Sequence, residues 1–433
     1  MTSPTTHWRL RNGRLIDPAQ QRDEVVDLYL MDGKVAGLNT PPTNFYPGQE
    51  IDAQGSWIIP GIVELSAHLG HSDQTLAIAS ESKAGIAGGI TTLAIPPDIH
   101  PCIDNPAVVE LIQLRGGRYG QAHLRVVGGL TTGLNGEALT EMAALKEAGC
   151  VAISNGQRTV TNSLVLRRAM EYAASHDLTI LLYASDPWLS ASGCAHEGAT
   201  STRLGLPSIP SAAETIGIHR DLALVELTGV RAHFCRLTSA GGVRLIEQAK
   251  AKGLAVTADV AVHHLHLCDE NLINLDTRYR VDPPLRSRTD RQALRDAVAS
   301  GVIDAICSDH RPLSADAKRS PYPSAKAGIS GLETLVPLTL ALINDGLLSP
   351  TQAISALTAA PARLLNLDGG NLCIGAAADL CLINPQARWQ LAAEHMHSSG
   401  RNNPFTGNEL AGRVTHTFVG GELVYRLSDN LKN

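Results

Sequence analysis

Ser66 and His68 stand two residues apart in the run IVELSAHLG, the spacing that puts two side chains on one face of a strand, and serine with histidine suggests a nucleophile and its base. The same spacing argues against that chemistry, because residues two apart on a strand project in parallel and rarely reach hydrogen-bonding geometry. His263, His264 and His266 in the run HHLH have the look of metal ligands, yet packing and hydrogen bonding inside the fold account for them better. The eight cysteines include no CxxC pair, and several sit inside apolar runs such as AICSD and LCLIN, so they read as reduced packing residues rather than a disulfide framework. The glycine-rich GIAGGITT precedes a strand instead of following one, which removes it as a phosphate loop.

The elements that must carry these side chains follow from texture. Apolar residues make up 44% of the 433 and aromatics only 4%, so the interior is built from Ala, Val, Ile and Leu, as a buried parallel sheet requires. Eight short apolar runs alternate with stretches of helical spacing such as NPAVVELIQLR and GVRLIEQAKAK. They are residues 62–66, 91–95, 124–130, 150–154, 179–184, 232–237, 255–260 and 304–309. Eight such repeats predict an α/β fold of the (β/α)8 TIM-barrel type over 59–369, with chemistry at the C-terminal ends of the strands. The chain ends read differently, as short strands joined by Gly turns, among them an Asp-Gly hairpin signal in MDGK. Residues 1–58 and 370–433 are therefore expected to share one small β-sandwich domain. A net charge of −6 with no basic run excludes an electrostatic footprint for nucleic acid or an anionic membrane. No apolar stretch approaches membrane-spanning length and the N-terminus has no signal-peptide core, so a cytoplasmic protein is expected.

The segments PGIVELSAHLG, PPDIHPCIDNP, HEGATSTRLGLPSIPSAAE, VDPPLRS, CSDHRP, GISGLET and SGRNNPFTG follow one another in an order that resembles dihydroorotases of the amidohydrolase superfamily, from about residue 8 to 426. The resemblance implies a metal-dependent barrel with a flanking β domain, closing carbamoyl-aspartate to dihydroorotate. It also marks where this chain departs from the pattern. The first strand of active relatives carries Asp-x-His-x-His-x-Arg, and here those places hold Glu64, Ser66, His68 and Gly70. The bridging anion of the fourth strand is replaced by Asn155 and Gly156, and the two later histidines by Tyr183 and Arg236. His68 and Asp309 alone match ligands, short of the three that a catalytic zinc site uses. A guanidinium about 4 Å from a divalent ion would repel it by roughly 8 kcal/mol at an effective dielectric near 20. Substrate-binding places are altered too, with Asp98, Asp282 and Leu313 where the resemblance implies Asn, Asn and His.

These departures resemble the dihydroorotase-like, non-catalytic chains of aspartate carbamoyltransferase. The resemblance thus implies no catalytic residues, no cofactor, and a pseudoenzyme rather than an enzyme, working in pyrimidine biosynthesis. Its partner would be the catalytic chain of aspartate carbamoyltransferase, with self-association inside a hetero-oligomer. Arg236 is expected to fill the emptied metal site and neutralise Asp309. The alternative is an active amidohydrolase on another cyclic amide or imide, with a relocated metal for which His71 and His310 are candidate ligands.

Overall fold

The computed structural model describes residues 7–46, 48–70 and 74–428. The N-terminal strands are β1 (Trp8–Asp17), β2 (Arg22–Met31), β3 (Lys34–Leu38), β4 (Gln49–Asp52) and β5 (Trp57–Pro60). The hairpin between β2 and β3 turns on Asp32 and Gly33, both at positive φ, the geometry that makes Asp-Gly the favoured pair there.

Eight parallel strands follow: β6 (Ile62–Glu64), β7 (Ile90–Ile95), β8 (His123–Gly129), β9 (Cys150–Ser154) and β10 (Ile180–Leu182), then, after the short pair β11 (Ala195–His196) and β12 (Ser208–Ile209), β13 (Ala232–Phe234), β14 (Val256–Ala261) and β15 (Ala305–Cys307). They lie in chain order around the sheet. A lone parallel bridge between Ala67 and His310 joins the first strand to the last. There the His68 N–H donates to the His310 carbonyl and the His310 N–H to the Ser66 carbonyl, each at 2.9 Å. This is the expected barrel, closed at the level of its mouth. The runs expected as strands sit within two or three residues of those observed, because buried β-branched runs have few other stable placements.

Helices alternate with the strands and begin where the sequence supplies caps. Asn105 accepts from the Val108 N–H ahead of Pro106–Tyr119, whose first residue is a proline that needs no donor. Ser239 caps Ala240–Ala251, and Ser287 with Asp290 forms a reciprocal capping box on Arg288–Ser300.

The C-terminal strands β16 (Leu380–Gln390), β17 (Glu409–Val419) and β18 (Glu422–Arg426) return to the N-terminal ones in one mixed sheet, where β16 pairs β5 and β5 pairs β1. The sheet curls over its own core: Trp8 on β1 meets Phe418 on β17 edge-on at 5.2 Å, although two strands separate them in the sheet. The interior of the barrel is a separate cluster of mostly small side chains, including Val63, Ala94, Ala152, Ala261, Ala305 and Cys307. Among the described residues no helix is long and apolar enough to cross a membrane.

Candidate functional site at the barrel mouth

The strand ends bring Ser66, His68, Arg236 and Asp309 to one buried place. The Arg236 Nε lies 3.4 Å from the Asp309 Oδ1 without hydrogen-bond geometry. Its Nη1 donates to the Ser66 hydroxyl at 3.3 Å, and that hydroxyl donates to Asp309 at 3.3 Å, so serine closes a triangle between cation and carboxylate. Both residues are less than a tenth exposed, which keeps water from screening the pair. Burial works to lower the Arg236 pKa, but Asp309 holds it above the ordinary guanidinium value. The Arg236 and Asp309 backbones sit at φ +55° and +45°, a left-handed conformation uncommon for non-glycine residues, where strain collects at functional positions.

Tyr183 lies beneath the guanidinium, with the Arg236 Cζ 5.5 Å from the ring centre, and its hydroxyl donates to Asp282 at 2.9 Å. Burial first, then the Asp282 carboxylate, drives the Tyr183 pKa well above its usual range, so the phenol keeps its proton. Asp282 is thus occupied inside the protein by this bond.

His68 is committed too. Arg311 donates from Nη2 to the His68 Nε2 at 2.8 Å, while Asp98 stands 3.9 Å from its Nδ1 and 3.7 Å from Arg311. Burial and then Arg311 push the His68 pKa down to about 3, leaving a neutral ring whose Nε2 lone pair is already taken. Burial opposes ionisation of Asp98, but His68, Arg311 and Arg236 hold its pKa below the carboxylate norm. Asn155 accepts from Thr131 at 2.7 Å and donates to the Leu134 and Arg158 carbonyls, so its amide is spent on the loops after β8 and β9. Gly156 has φ +63°, and a Cβ there would stand 2.7 Å from Asp98, so the backbone passes too close for another side chain. Gly70 faces Pro312, and Leu313 is buried with its N–H on Asn402.

These groups do not suit a divalent ion at the family's positions. Two guanidinium groups stand among them, the one histidine's nearer nitrogen accepts from an arginine, and Asp309 serves Ser66 and Arg236. Nor does the relocation to His310 work. Its Nε2 meets Glu81 at 2.9 Å, its Nδ1 accepts from the Gly331 N–H, and its ring is fully buried. His71 lies outside the described residues. His266 meets the hydrogen-bonding part of the expectation, with its Nε2 on the Leu338 carbonyl at 2.9 Å, and His263 and His264 meet the packing part, ring to ring at 4.5 Å.

Three features escaped the sequence reasoning. One is Arg311, which follows Asp309 by two residues and so points to the same side of an extended segment. The second is the burial of Glu64, named above only for its place in the first-strand pattern, which accepts from the Ser66 and Ser308 N–H groups at 2.8 Å; burial lifts its pKa to about 8 against those bonds. The third lies deeper in the barrel, where His233, Cys235 and Asp259 bring one nitrogen, one sulfur and one carboxylate oxygen within 4.8 Å of one another. The alternation of His233 and Cys235 on one strand was the signal for that cluster.

Comparison with known proteins places this geometry. The model of the amidohydrolase family matches residues 57–424. A dihydroorotase-like protein of Pseudomonas aeruginosa is 45% identical over 418 residues, covering 96% of this chain and 99% of the relative. A dihydroorotase of Anaeromyxobacter dehalogenans is 42% identical over 420 residues, covering 96% and 97%. Among solved structures, the L-hydantoinase of Arthrobacter aurescens superposes with a TM-score of 0.86 at 23% identity over 97% of both chains, a likeness of fold. The relatives correct one expectation. A chain this similar to proteins named dihydroorotase falls among enzymes, so the reading of it as no enzyme is overturned. That reading counted ligands at the strand ends, a count that tests one arrangement of the metal and is blind to donors deeper in the barrel.

Proposed function

The chain belongs to the amidohydrolase family, and from that premise we propose that it serves pyrimidine biosynthesis in the cytoplasm as a dihydroorotase-like assembly partner of the catalytic chain of aspartate carbamoyltransferase. The observation that carries this reading is the Arg236–Asp309 pair: an internal cation stands where the resemblance implies a metal, while a bridge joins the first barrel strand to the last. Co-expression with the host's carbamoyltransferase chain and measurement of the mass of the purified complex tests it. A hetero-oligomer containing both chains is expected, and it should persist with Ser66→Ala or His68→Gln. Two chains that elute separately at every concentration would end the proposal.

A second reading is favoured by the His233, Cys235 and Asp259 cluster: an amidohydrolase acting on another cyclic amide or imide, with its metal relocated. Turnover of dihydroorotate, dihydrouracil and hydantoin by the purified chain, abolished by a chelator, would support it. No turnover of any of the three, with zinc supplied, would count against it.

A further inference from the structure

We propose that His233, Cys235 and Asp259 form a binding site for one borderline-soft divalent cation such as zinc inside the barrel, distinct from the positions the family uses. The inference deepens the second reading above, in that it names the ion and its ligands.

His233 lies on β13 and Cys235 one residue beyond its end, two apart and on one side, with the fully buried Phe234 facing the other way. Asp259 lies on the neighbouring strand β14, where Thr257 pairs with His233. His233 and Asp259 are each 1% exposed, while Cys235 is partly accessible and gives an entry path.

What singles out the cluster is the direction of its outer hydrogen bonds. The His233 Nδ1 is held by the Thr257 hydroxyl at 2.9 Å, and the Asp259 Oδ1 accepts from the Arg236 N–H at 2.5 Å. His233 and Asp259 are thus each gripped through the atom that would not bind the ion. Metal-binding histidines and carboxylates are ordinarily oriented in this way by a second ring of partners. The free atoms, His233 Nε2 and Asp259 Oδ2, face each other at 2.9 Å with one proton between them, and the Cys235 sulfur stands alongside, its thiol reaching only the His233 carbonyl at 3.9 Å. A cation would take the place of that proton.

The balance is simple. Because the carboxylate can only accept, the proton between them sits on Nε2. On binding, that proton moves to Nδ1, where the Thr257 hydroxyl turns to accept it, and the Cys235 thiol releases its proton to solvent. Thiolate, imidazole and carboxylate then present two negative charges to a dication, so the assembled site is neutral and Arg236 nearby meets no net charge. Nitrogen, sulfur and oxygen donors in one set match zinc, which takes three protein ligands and leaves a fourth position open. Cys235 is therefore assigned more than the packing role expected of it.

The test uses the whole chain, stripped with a chelator under reducing conditions and titrated with cobalt(II). One equivalent should produce the near-ultraviolet thiolate-to-cobalt charge-transfer band. Cys235→Ser should abolish the band and Asp259→Asn should weaken binding at least tenfold, while Cys307→Ser should leave it intact. A wild-type chain without the band, or a band that survives Cys235→Ser, overturns the site. Should the variants fail to fold, alkylation of Cys235 in the wild-type chain decides: one equivalent of zinc is expected to slow it at least tenfold, and unchanged labelling refutes the site. These readouts are independent of turnover, so bound cobalt without hydrolysis of a cyclic amide would leave this site standing while the second functional reading fell.

Discussion

Arg311 donates from its Nη2 to the Nε2 of His68 across 2.8 Å, so the histidine that matches a metal ligand spends its lone pair on a guanidinium two residues beyond Asp309. The mouth of the barrel holds two arginines and two aspartates where the resemblance to dihydroorotases implies a divalent ion and its ligands.

His68 should make the fold acid-sensitive. Its pKa in the folded chain, about 3, lies below the ordinary 6.5, so the unfolded chain takes up the proton first as pH falls. The resulting stability is present in full above 6.5 and lost as pH drops toward 3. Urea unfolding across that window should show a shallower pH slope for His68→Gln than for the wild type. Equal slopes would mean that the ring titrates normally in the folded protein.

Glu64 should act with the opposite sign. Its folded-state pKa, raised to about 8 from 4.5, means that the unfolded chain sheds the proton first as pH rises. The contribution is intact below 4.5, erodes through the window up to about 8, and amounts to a few kcal/mol in order of magnitude. Glu64→Gln should flatten the profile between these limits, even though the amide loses one acceptor for the Ser66 and Ser308 N–H groups. An unchanged profile would show that Glu64 is ionised throughout.

Removing one partner of the buried pair should cost more than removing both. Arg236→Ala leaves Asp309 buried without its cation, at about 3 to 5 kcal/mol. Combining it with Asp309→Asn should recover part of that loss, a coupling that a double-mutant cycle measures. Strict additivity would mean that the 3.4 Å contact carries no energy.

Restoring a single ligand should not restore the family's metal site. With Ser66→His, Arg236 still occupies the position and Arg311 still holds His68. Elemental analysis should find no added equivalent of zinc over the wild type. A full additional equivalent would show that the arginines yield to an ion.

The barrel was legible because its strands are short apolar runs with one stable use. The meeting of Arg236 with Asp309 was also readable, since a lone cation and a lone carboxylate at two strand ends have few other partners. Arg311 was not, because an arginine in a loop ordinarily points to water, and only the depth of the mouth turns it inward onto His68. His310 looked like a free ligand for a similar reason: its partner Glu81 lies 229 residues away, and no local pattern announces the pair. Packing and hydrogen bonding were readable for the HHLH run as a whole, but not which histidine does which: His263 and His264 stack on each other while His266 reaches the Leu338 carbonyl.

The bridge between Ala67 and His310 is a seam between strands more than 240 residues apart, sewn by the His68 and His310 amides. Loosening it, along with the Glu64 carboxylate that reaches the Ser308 N–H across the same seam, would part the first strand from the last without breaking any other strand pairing. Deuterium uptake at those two amides therefore times the opening of the whole barrel, and the side chains that crowd the mouth double as its clasp.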